Sequence, residues 1–356
     1  MRTAIIIGTR PEIIKVAPLI KELRKSERII IFTGQHYDFQ LGLRFFHELE
    51  LPIPDYSLKI KKGEPAIQIA QIISKLVPIL SRIKPDTVMV QGDTNTAMAS
   101  AICSLKLNIP INHVEAGLRS YDWRMPEEHN RVMIDHISEL LFAPTSDSRK
   151  NLIKENVHGK IFVTGNTVMY SISQYSRLVD KKSNLSIDFE DFILFTMHRA
   201  ENVDNPLVLR NVISALIESS HNIIFPIHPR TQKRIREFNL HSKLANANNI
   251  KIIDSAGYFD ILKLMKKCDF IISDSGGIQE EATSPLIRKK VLVIRKTTDR
   301  PESVKSGFAT LVDLSKNQIK DAIKKISKNP EIKTQKSPYG VGNSSKIIAS
   351  ILRKEL

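Results

Sequence analysis

Short runs of apolar, mostly β-branched residues alternate with helix-period stretches from one end of this chain to the other. The runs fall at about residues 3–7, 29–33, 86–91, 110–114, 139–143 and 160–163, and apolar residues at helical spacing occupy about 11–25, 65–83, 94–106, 126–137 and 146–156. A second series places strands near 192–197, 222–227, 250–253, 269–273, 290–294 and 308–312, with helices near 206–219, 230–238, 258–267, 276–284 and 315–327. Parallel strands need a crossover long enough to hold a helix, so this alternation yields parallel sheets covered by helices on both faces. The expected class is α/β, with two doubly wound, Rossmann-like domains.

A chain of 356 residues is too long for one ordinary core, and two domains of roughly 150 to 200 residues are expected. The composition changes between Tyr170 and Asp191, where Lys181-Lys182-Ser183-Asn184 breaks the apolar period, and the hinge is placed there. The expected domains are 1–170 and 171–343. A polar stretch at 329–343 precedes a last helix at 344–355, and segment 344–356 is expected to pack back onto the first domain.

The 53 Lys plus Arg against 38 Asp plus Glu give a net charge of +15, which attracts any polyanion. Nucleic-acid readers usually add an aromatic stacking platform or a groove-reading motif. Neither is found at 6% aromatics, so no nucleic-acid partner is expected. Cys103 and Cys268 are the only cysteines, one per half, so neither a disulfide framework nor a thiolate cluster can be built and a cytoplasmic location is expected. The apolar run Ala4 to Ile7 is too short for a signal peptide, and the absence of a run of about 18 apolar residues leads to an expectation of no membrane insertion.

Ligands of open α/β sheets lie beyond the carboxyl ends of the strands. Arg10, Gln35 and His36, Asp93, Glu115, His198, His228 and Ser275 all follow expected strands. Two domains whose strand ends face each other would enclose a cleft able to close on a ligand and expel water, so the active site is expected between the domains.

Gly8-Thr9-Arg10-Pro11-Glu12-Ile13-Ile14-Lys15 reads as a strand-to-helix turn, with Pro11 at the first helical position, where its missing N–H costs nothing. Arg10 then sits at a positive helix end suited to phosphate, and Lys15 is one turn further on, reaching the same cleft unless it is a plain surface lysine. No Gly-x-Gly-x-x-Gly turn follows the first strand and no Gly-x4-Gly-Lys-Ser/Thr loop occurs, which argues against a nicotinamide enzyme and a nucleoside triphosphatase. Asp274-Ser275-Gly276-Gly277 opening a helix offers backbone N–H groups and a hydroxyl to a diphosphate. Glu281, about two turns along, suits ribose hydroxyls. Its neighbour Glu280 must face another way, so at most one of the two meets a ligand.

Asp93, Glu115, Glu127 and Glu128 fall on three successive connections, with Arg119 and Arg131 close by. Asp93 could equally cap a helix, and Glu127 and Glu128 could simply complement a helix dipole. Several carboxylates meeting in a closed cleft instead suit proton transfer to and from carbon. His198 and His228 can donate a hydrogen to a leaving phosphate oxygen. The histidines show no metal-ligand spacing, and no metal is expected.

In this order, the motifs Gly8-Thr9-Arg10-Pro11-Glu12, Thr33-Gly34-Gln35-His36, Gln91-Gly92-Asp93-Thr94, His113-Val114-Glu115-Ala116-Gly117-Leu118-Arg119, Pro126-Glu127-Glu128-His129-Asn130-Arg131, His198-Arg199, Asp274 to Ala282 and Thr298-Asp299-Arg300-Pro301-Glu302 resemble the non-hydrolysing UDP-N-acetylglucosamine 2-epimerases. The resemblance runs along essentially the whole chain. It implies a glycosyltransferase-B-like fold, usually a homodimer, interconverting UDP-GlcNAc and UDP-ManNAc through 2-acetamidoglucal and bound UDP, with no cofactor, to supply ManNAc units for surface glycans. It further implies that Asp93, Glu115 and Glu127 form the acid/base set, that His198 assists the departing diphosphate, and that Arg10, Lys15, Ser275, Gly276, Gly277, Glu281 and Arg300 contact the UDP-sugar.

Three segments depart from the family pattern. Where relatives carry an aromatic to pack on uracil this chain has Ile261, with Tyr258 and Phe259 as nearby substitutes. Gln35-His36-Tyr37-Asp38 replaces the Gln-His-x-Gln of members activated at a second UDP-GlcNAc site. Ser284 to Lys290 is two residues longer than the usual turn. The competing readings are a 2-epimerase of a modified UDP-N-acetyl sugar and a UDP-sugar-dependent glycosyltransferase, which shares the fold.

Overall fold

All five residues of strand β1 (Thr3–Ile7) are buried, as a central parallel strand covered on both faces requires. The computed structural model describes every residue except 36–38, 62, 255, 333–335 and 356, and leaves aside the side chains of 39–41. Two compact units emerge, residues 1–171 with 339–356, and residues 172–338.

The first unit runs β1, α1 (Arg10–Glu22), β2 (Arg28–Phe32), α2 (Phe39–Glu48), β3 (Tyr56–Ser57), α3 (Pro65–Ile83), β4 (Thr87–Gln91), α4 (Asn95–Lys106), β5 (Ile111–Val114), α5 (Pro126–His136), β6 (Leu140–Ala143), α6 (Ser146–Lys154), β7 (Lys160–Val163) and into α7 (Thr167–Tyr175). Its seven strands are ordered β3-β2-β1-β4-β5-β6-β7, every pair parallel. Alternate residues Ala4, Ile6, Ile29, Ile31, Val88 and Val90 pack on Ile72, Leu76 and Leu80 of α3 and Ala97 and Ala101 of α4.

The second unit continues with α8 (Val179–Lys182), β8 (Ile193–Thr196), α9 (Ala200–Val203), α10 (Pro206–Ile217), β9 (Ile223–Pro226), α11 (Pro229–Glu237), α12 (His241–Ala245), β10 (Ile250–Ile253), α13 (Tyr258–Lys267), β11 (Ile271–Ser273), α14 (Gly276–Glu281), β12 (Val291–Val293), α15 (Pro301–Lys305), β13 (Ala309–Leu311) and α16 (Lys316–Ser327). Its parallel sheet is ordered β10-β9-β8-β11-β12-β13. Ile193, Phe195, Ile223 and Phe225 meet the apolar faces of α10 and α16.

Both sheets are doubly wound. The strand order reverses between β1 and β4 in the first unit and between β8 and β11 in the second, and such switch points are where open α/β sheets leave room for ligands.

Helix α17 (Ser344–Glu355) belongs to the first unit, where it packs on α1, and Arg353 grips both carboxylate oxygens of Glu27 at 2.9 Å. The chain rejoins this unit at Tyr339, which is fully buried and whose carbonyl accepts from Asn166 N–H at 2.9 Å. The polar stretch at Lys181–Asn184 is no open linker. It lies at the end of α8, which packs on α13, and Ser183 donates to Asp260 at 2.6 Å.

Several expected boundaries shift. Helix α1 ends at Glu22 rather than 25, because Lys25–Glu27 tightens into a 3-10 turn, and the helix expected at 276–284 ends at Glu281. Helix α3 is also more apolar than the lack of an unbroken apolar run implies. Its 19 residues have a mean hydropathy of 1.3 and are long and apolar enough to cross a membrane by composition. Ile72, Leu76 and Leu80 are buried on one side of it, and Lys75 donates to the carbonyls of Leu58 and Lys59. The rest of that helix is largely open, with Ile67 and Val77 exposed.

Candidate active site

In the first unit the switch point is built from the turn after β1. Thr9 caps α1, and Glu12 closes the capping box by accepting from Gly8 N–H at 3.0 Å and Thr9 N–H at 2.6 Å. The other Glu12 oxygen accepts from the Thr94 hydroxyl at 2.9 Å, and Thr94 caps α4, so one buried carboxylate ties together the N-termini of two helices. Burial pushes the Glu12 carboxyl up to about 7, against the pull of the Thr9, Thr94 and backbone donors. Thr94 being the cap, Asp93 is not one.

Asp93 instead follows Gly92, whose φ of +70° is a backbone state that glycine adopts at little cost. Its carboxylate pairs with Arg131 at 2.5 Å and stays 26% exposed, while its carbonyl accepts from Asn130 at 2.8 Å. Arg131 also donates to Glu128 at 2.8 Å. Glu128 is fully buried and accepts from Ser120 N–H and hydroxyl and Tyr121 N–H, so it braces the 120–121 turn, whereas Glu127 is half-buried in the first turn of α5.

Glu115, at the end of β5, has a φ of +74°, a left-handed state that costs a non-glycine residue about 1–2 kcal/mol. It is buried and receives Lys15 Nζ at 2.5 Å and Gln91 Nε2 at 2.8 Å. Lys15 is therefore no plain surface lysine, and what it holds in this unit is the Glu115 carboxylate. The Arg10 guanidinium lies over the Phe45 ring, 4.7 Å from its centre. Gln35 accepts from the Thr96 N–H and hydroxyl, while His36, Tyr37 and Asp38 lie outside the described residues.

In the second unit the switch point is organised by Asp274. This fully buried carboxylate accepts from the backbone N–H of His198 at 3.1 Å and of Arg199 at 2.9 Å and from Asn202 Nδ2 at 3.2 Å, and it faces His198 Nδ1 at 3.4 Å. The His198 side chain is 38% exposed. Burial and the charges of Arg199 and Arg295 hold its pKa below the ordinary histidine value, against Asp274 and Glu201, so the ring is neutral at pH 7. The exposed His228 ring lies 5.5 Å from that of His198, and its Nδ1 accepts from Arg230 N–H at 3.2 Å.

Ser275 caps α14, and Gly276 and Gly277 form the first turn of that helix. A Cβ on Gly276 would come within 3.3 Å of Asp299 Oδ1, a tight contact that the Asp299 side chain would have to give way to by a few tenths of an ångström. Arg300 is 5% exposed and its guanidinium is engaged by Glu280 and, at 3.0 Å, by Asp299. Arg295 completes the cluster on Asp299 at 3.1 Å. Of the adjacent pair on α14, Glu280 is buried inside this cluster and Glu281 is half-buried. Tyr258 and Phe259 are buried against Tyr175, with ring centres 6.2 and 6.1 Å away, so neither offers a free face to a base; Ile261 is half-buried.

Glu12, Asp135 and Asp299 were given no role from sequence. The Glu12 signal was readable, since Thr9-x-x-Glu12 is a capping box. Asp135 carries a weaker signal, as a polar residue on the inward face of a helix. Among the described residues no cluster of three or more histidines, cysteines or carboxylates is arranged to hold a metal ion.

The UDP-N-acetylglucosamine 2-epimerase family model matches residues 20–353. A UDP-N-acetylglucosamine 2-epimerase of Methanocaldococcus jannaschii is 43% identical, covering 99% of each chain. The solved structure of the M. jannaschii UDP-GlcNAc 2-epimerase in complex with UDP-GlcNAc and UDP is similar with a TM-score of 0.91 at 42% identity, covering 99% of this chain and 100% of that one. A UDP-2,3-diacetamido-2,3-dideoxy-D-glucuronate 2-epimerase of Pseudomonas aeruginosa is 34% identical over 99% of this chain and 100% of its own. The fold is the expected glycosyltransferase-B-like type with two Rossmann-like sheets, and the chain belongs to the UDP-N-acetylglucosamine 2-epimerase family.

Proposed function

We propose that this protein epimerises UDP-GlcNAc and UDP-ManNAc reversibly at C2, without hydrolysis, by eliminating UDP and adding it back. The observation that carries this reading is the pair of carboxylates Asp93 and Glu115. They end the neighbouring strands β4 and β5, and each is held by a cation, Arg131 and Lys15. A sugar C2–H is far less acidic than any side chain, so its proton leaves only as the C1–O bond to UDP breaks. The electron pair of the C–H bond becomes the C1–C2 double bond of 2-acetamidoglucal, and the C1–O pair leaves with the diphosphate. In the return step the C2 proton arrives on the opposite face and the diphosphate oxygen re-forms the bond to C1. Asp93, Glu115 and Glu127 are the groups assigned to this proton traffic.

The second unit supplies the nucleotide-binding share of this reading through Ser275, Gly276, Gly277 and Glu281, with Arg300 stiffening that segment from its carboxylate cluster. The neutral ring of His198 donates a hydrogen bond to the departing diphosphate rather than attracting it as a cation, and His228 stands beside it. Arg10 and Lys15 supply cationic charge in the first unit. The reading takes the protein as a cytoplasmic homodimer needing no cofactor and no metal, whose product supplies ManNAc units for surface glycans. The open apolar side of α3 supports the homodimer.

A second reading keeps the chemistry and changes the sugar. The 34% identity to the P. aeruginosa enzyme for a diacetamido uronate supports a modified UDP-N-acetyl sugar as substrate. A UDP-sugar-dependent glycosyltransferase would leave the carboxylate pair without a use. Incubation of the protein with UDP-GlcNAc, and separately with the UDP-linked diacetamido uronate, followed by anion-exchange chromatography, separates these readings. UDP-ManNAc is expected; free ManNAc with UDP would indicate hydrolysis, and unchanged UDP-GlcNAc alongside turnover of the diacetamido uronate would establish the second reading.

A further inference from the structure

Behind Asp93 and Glu115 lies a chain of charged groups, His113, Asp135, Arg119 and Glu155, of which the first three are buried and the last is partly exposed. His113, on β5, and Asp135, in the last turn of α5, are both fully buried. His113 Nδ1 lies 2.7 Å from Asp135 Oδ1, and His113 Nε2 lies 2.9 Å from the carbonyl oxygen of Gly92, the residue before Asp93. The other Asp135 oxygen accepts from Gly117 N–H at 3.1 Å, two residues after Glu115, and pairs with Arg119 at 2.8 Å. Arg119 in turn holds Glu155 with two donors.

A carbonyl oxygen and a carboxylate are both acceptors, so the two His113 bonds form together only when each ring nitrogen carries a hydrogen. The charges then balance, with His113 and Arg119 opposite Asp135 and Glu155. An ion pair this deep is a weak source of stability, since desolvating both partners offsets most of their attraction. Its better use is to fix geometry, and the groups it reaches are the peptide before Asp93 and the turn after Glu115.

We propose that His113 and Asp135 form a positioning pair that holds the Gly92–Asp93 and Glu115–Gly117 turns at the spacing proton transfer requires. This rests on the reading of Asp93 and Glu115 as acid/base groups. The role is not catalytic in itself, because neither residue is assigned a contact with substrate.

Two measurements test it. In the full-length parent protein with 15N-labelled histidine rings, and His113→Gln as the assignment control, both ring nitrogens of His113 are expected to show directly bonded hydrogens at pH 7.5. A single-hydrogen tautomer would overturn the pair. In Asp135→Asn, kcat is expected to fall at least 50-fold while KM and the Kd for UDP stay within threefold, and amide hydrogen exchange is expected to rise at residues 91–94 and 115–119. A folded Asp135→Asn protein with kcat within threefold of the parent would overturn the positioning role. Should that variant not fold, the ring-nitrogen measurement still decides. Failure of the underlying reading looks different, because Asp93→Asn would then retain full activity whatever the state of the His113 ring.

Discussion

Lys15 Nζ lies 2.5 Å from Glu115 Oε2, joining helix α1 to the turn after β5 through a bond between two buried side chains. Removing one partner of such a pair leaves a buried charge without its counter-ion. Lys15→Met is expected to destabilise the protein by about 3 kcal/mol, read from denaturant unfolding. In Lys15→Met/Glu115→Leu most of that loss should return while activity does not, because the proposed acid/base carboxylate has gone with the charge.

Asp93→Asn and Glu115→Gln keep the shape of each side chain and remove its capacity to take up a proton. Each is expected to lower kcat by about 10²–10⁴-fold, measured with UDP-GlcNAc at saturation. The Kd for UDP should change little, since neither Asp93 nor Glu115 is among the groups assigned to bind it.

Glu12 gives a pH signature. Its carboxyl is raised in the folded protein to about 7 from an ordinary value of 4.5, so the folded state binds more protons between those limits than the unfolded state does. That contribution is present at low pH and is lost as pH rises from about 4.5 through about 7. Glu12→Gln has no proton to lose there, and its melting temperature should vary less with pH over that interval than the parent's.

Glu27 has the opposite sign. The Arg353 side chain, helped by Arg24, holds its carboxyl down at about 2 against an ordinary 4.5, so the stabilisation is complete above pH 4.5 and is lost as pH falls towards 2. Arg353 is 40% exposed, which limits the effect to on the order of 1 kcal/mol. Arg353→Ala should lower the melting temperature of the parent at pH 7 and narrow the difference as the pH falls.

The βα order apart from α2, β3 and α7, the two sheets and the strand ends bearing Arg10, Asp93, Glu115, His198 and Ser275 were legible because apolar periodicity and turn residues are local properties of the chain. The brief helices α8, α9, α12 and α15 were not, since four or five residues carry too little period to stand out. What sequence could not show is which charged groups choose each other. Lys15 finds Glu115 across 100 residues, Arg300 turns inward to Glu280, and Asp274 serves the His198 turn rather than the helix that follows it. Tyr258 and Phe259 looked equally able to face a base, and only the packing against Tyr175 shows that they do not.

The central claim is that a proton leaves C2 and returns from solvent-exchangeable side chains as UDP departs and comes back. Incubating the protein with UDP-GlcNAc in deuterated water, with no added cofactor, and following the sugar by proton NMR tests it directly. Deuterium at C2 of both UDP-GlcNAc and UDP-ManNAc, absent when Asp93→Asn replaces the parent, is the expected result. UDP-ManNAc that forms while keeping its original C2 hydrogen would contradict the account.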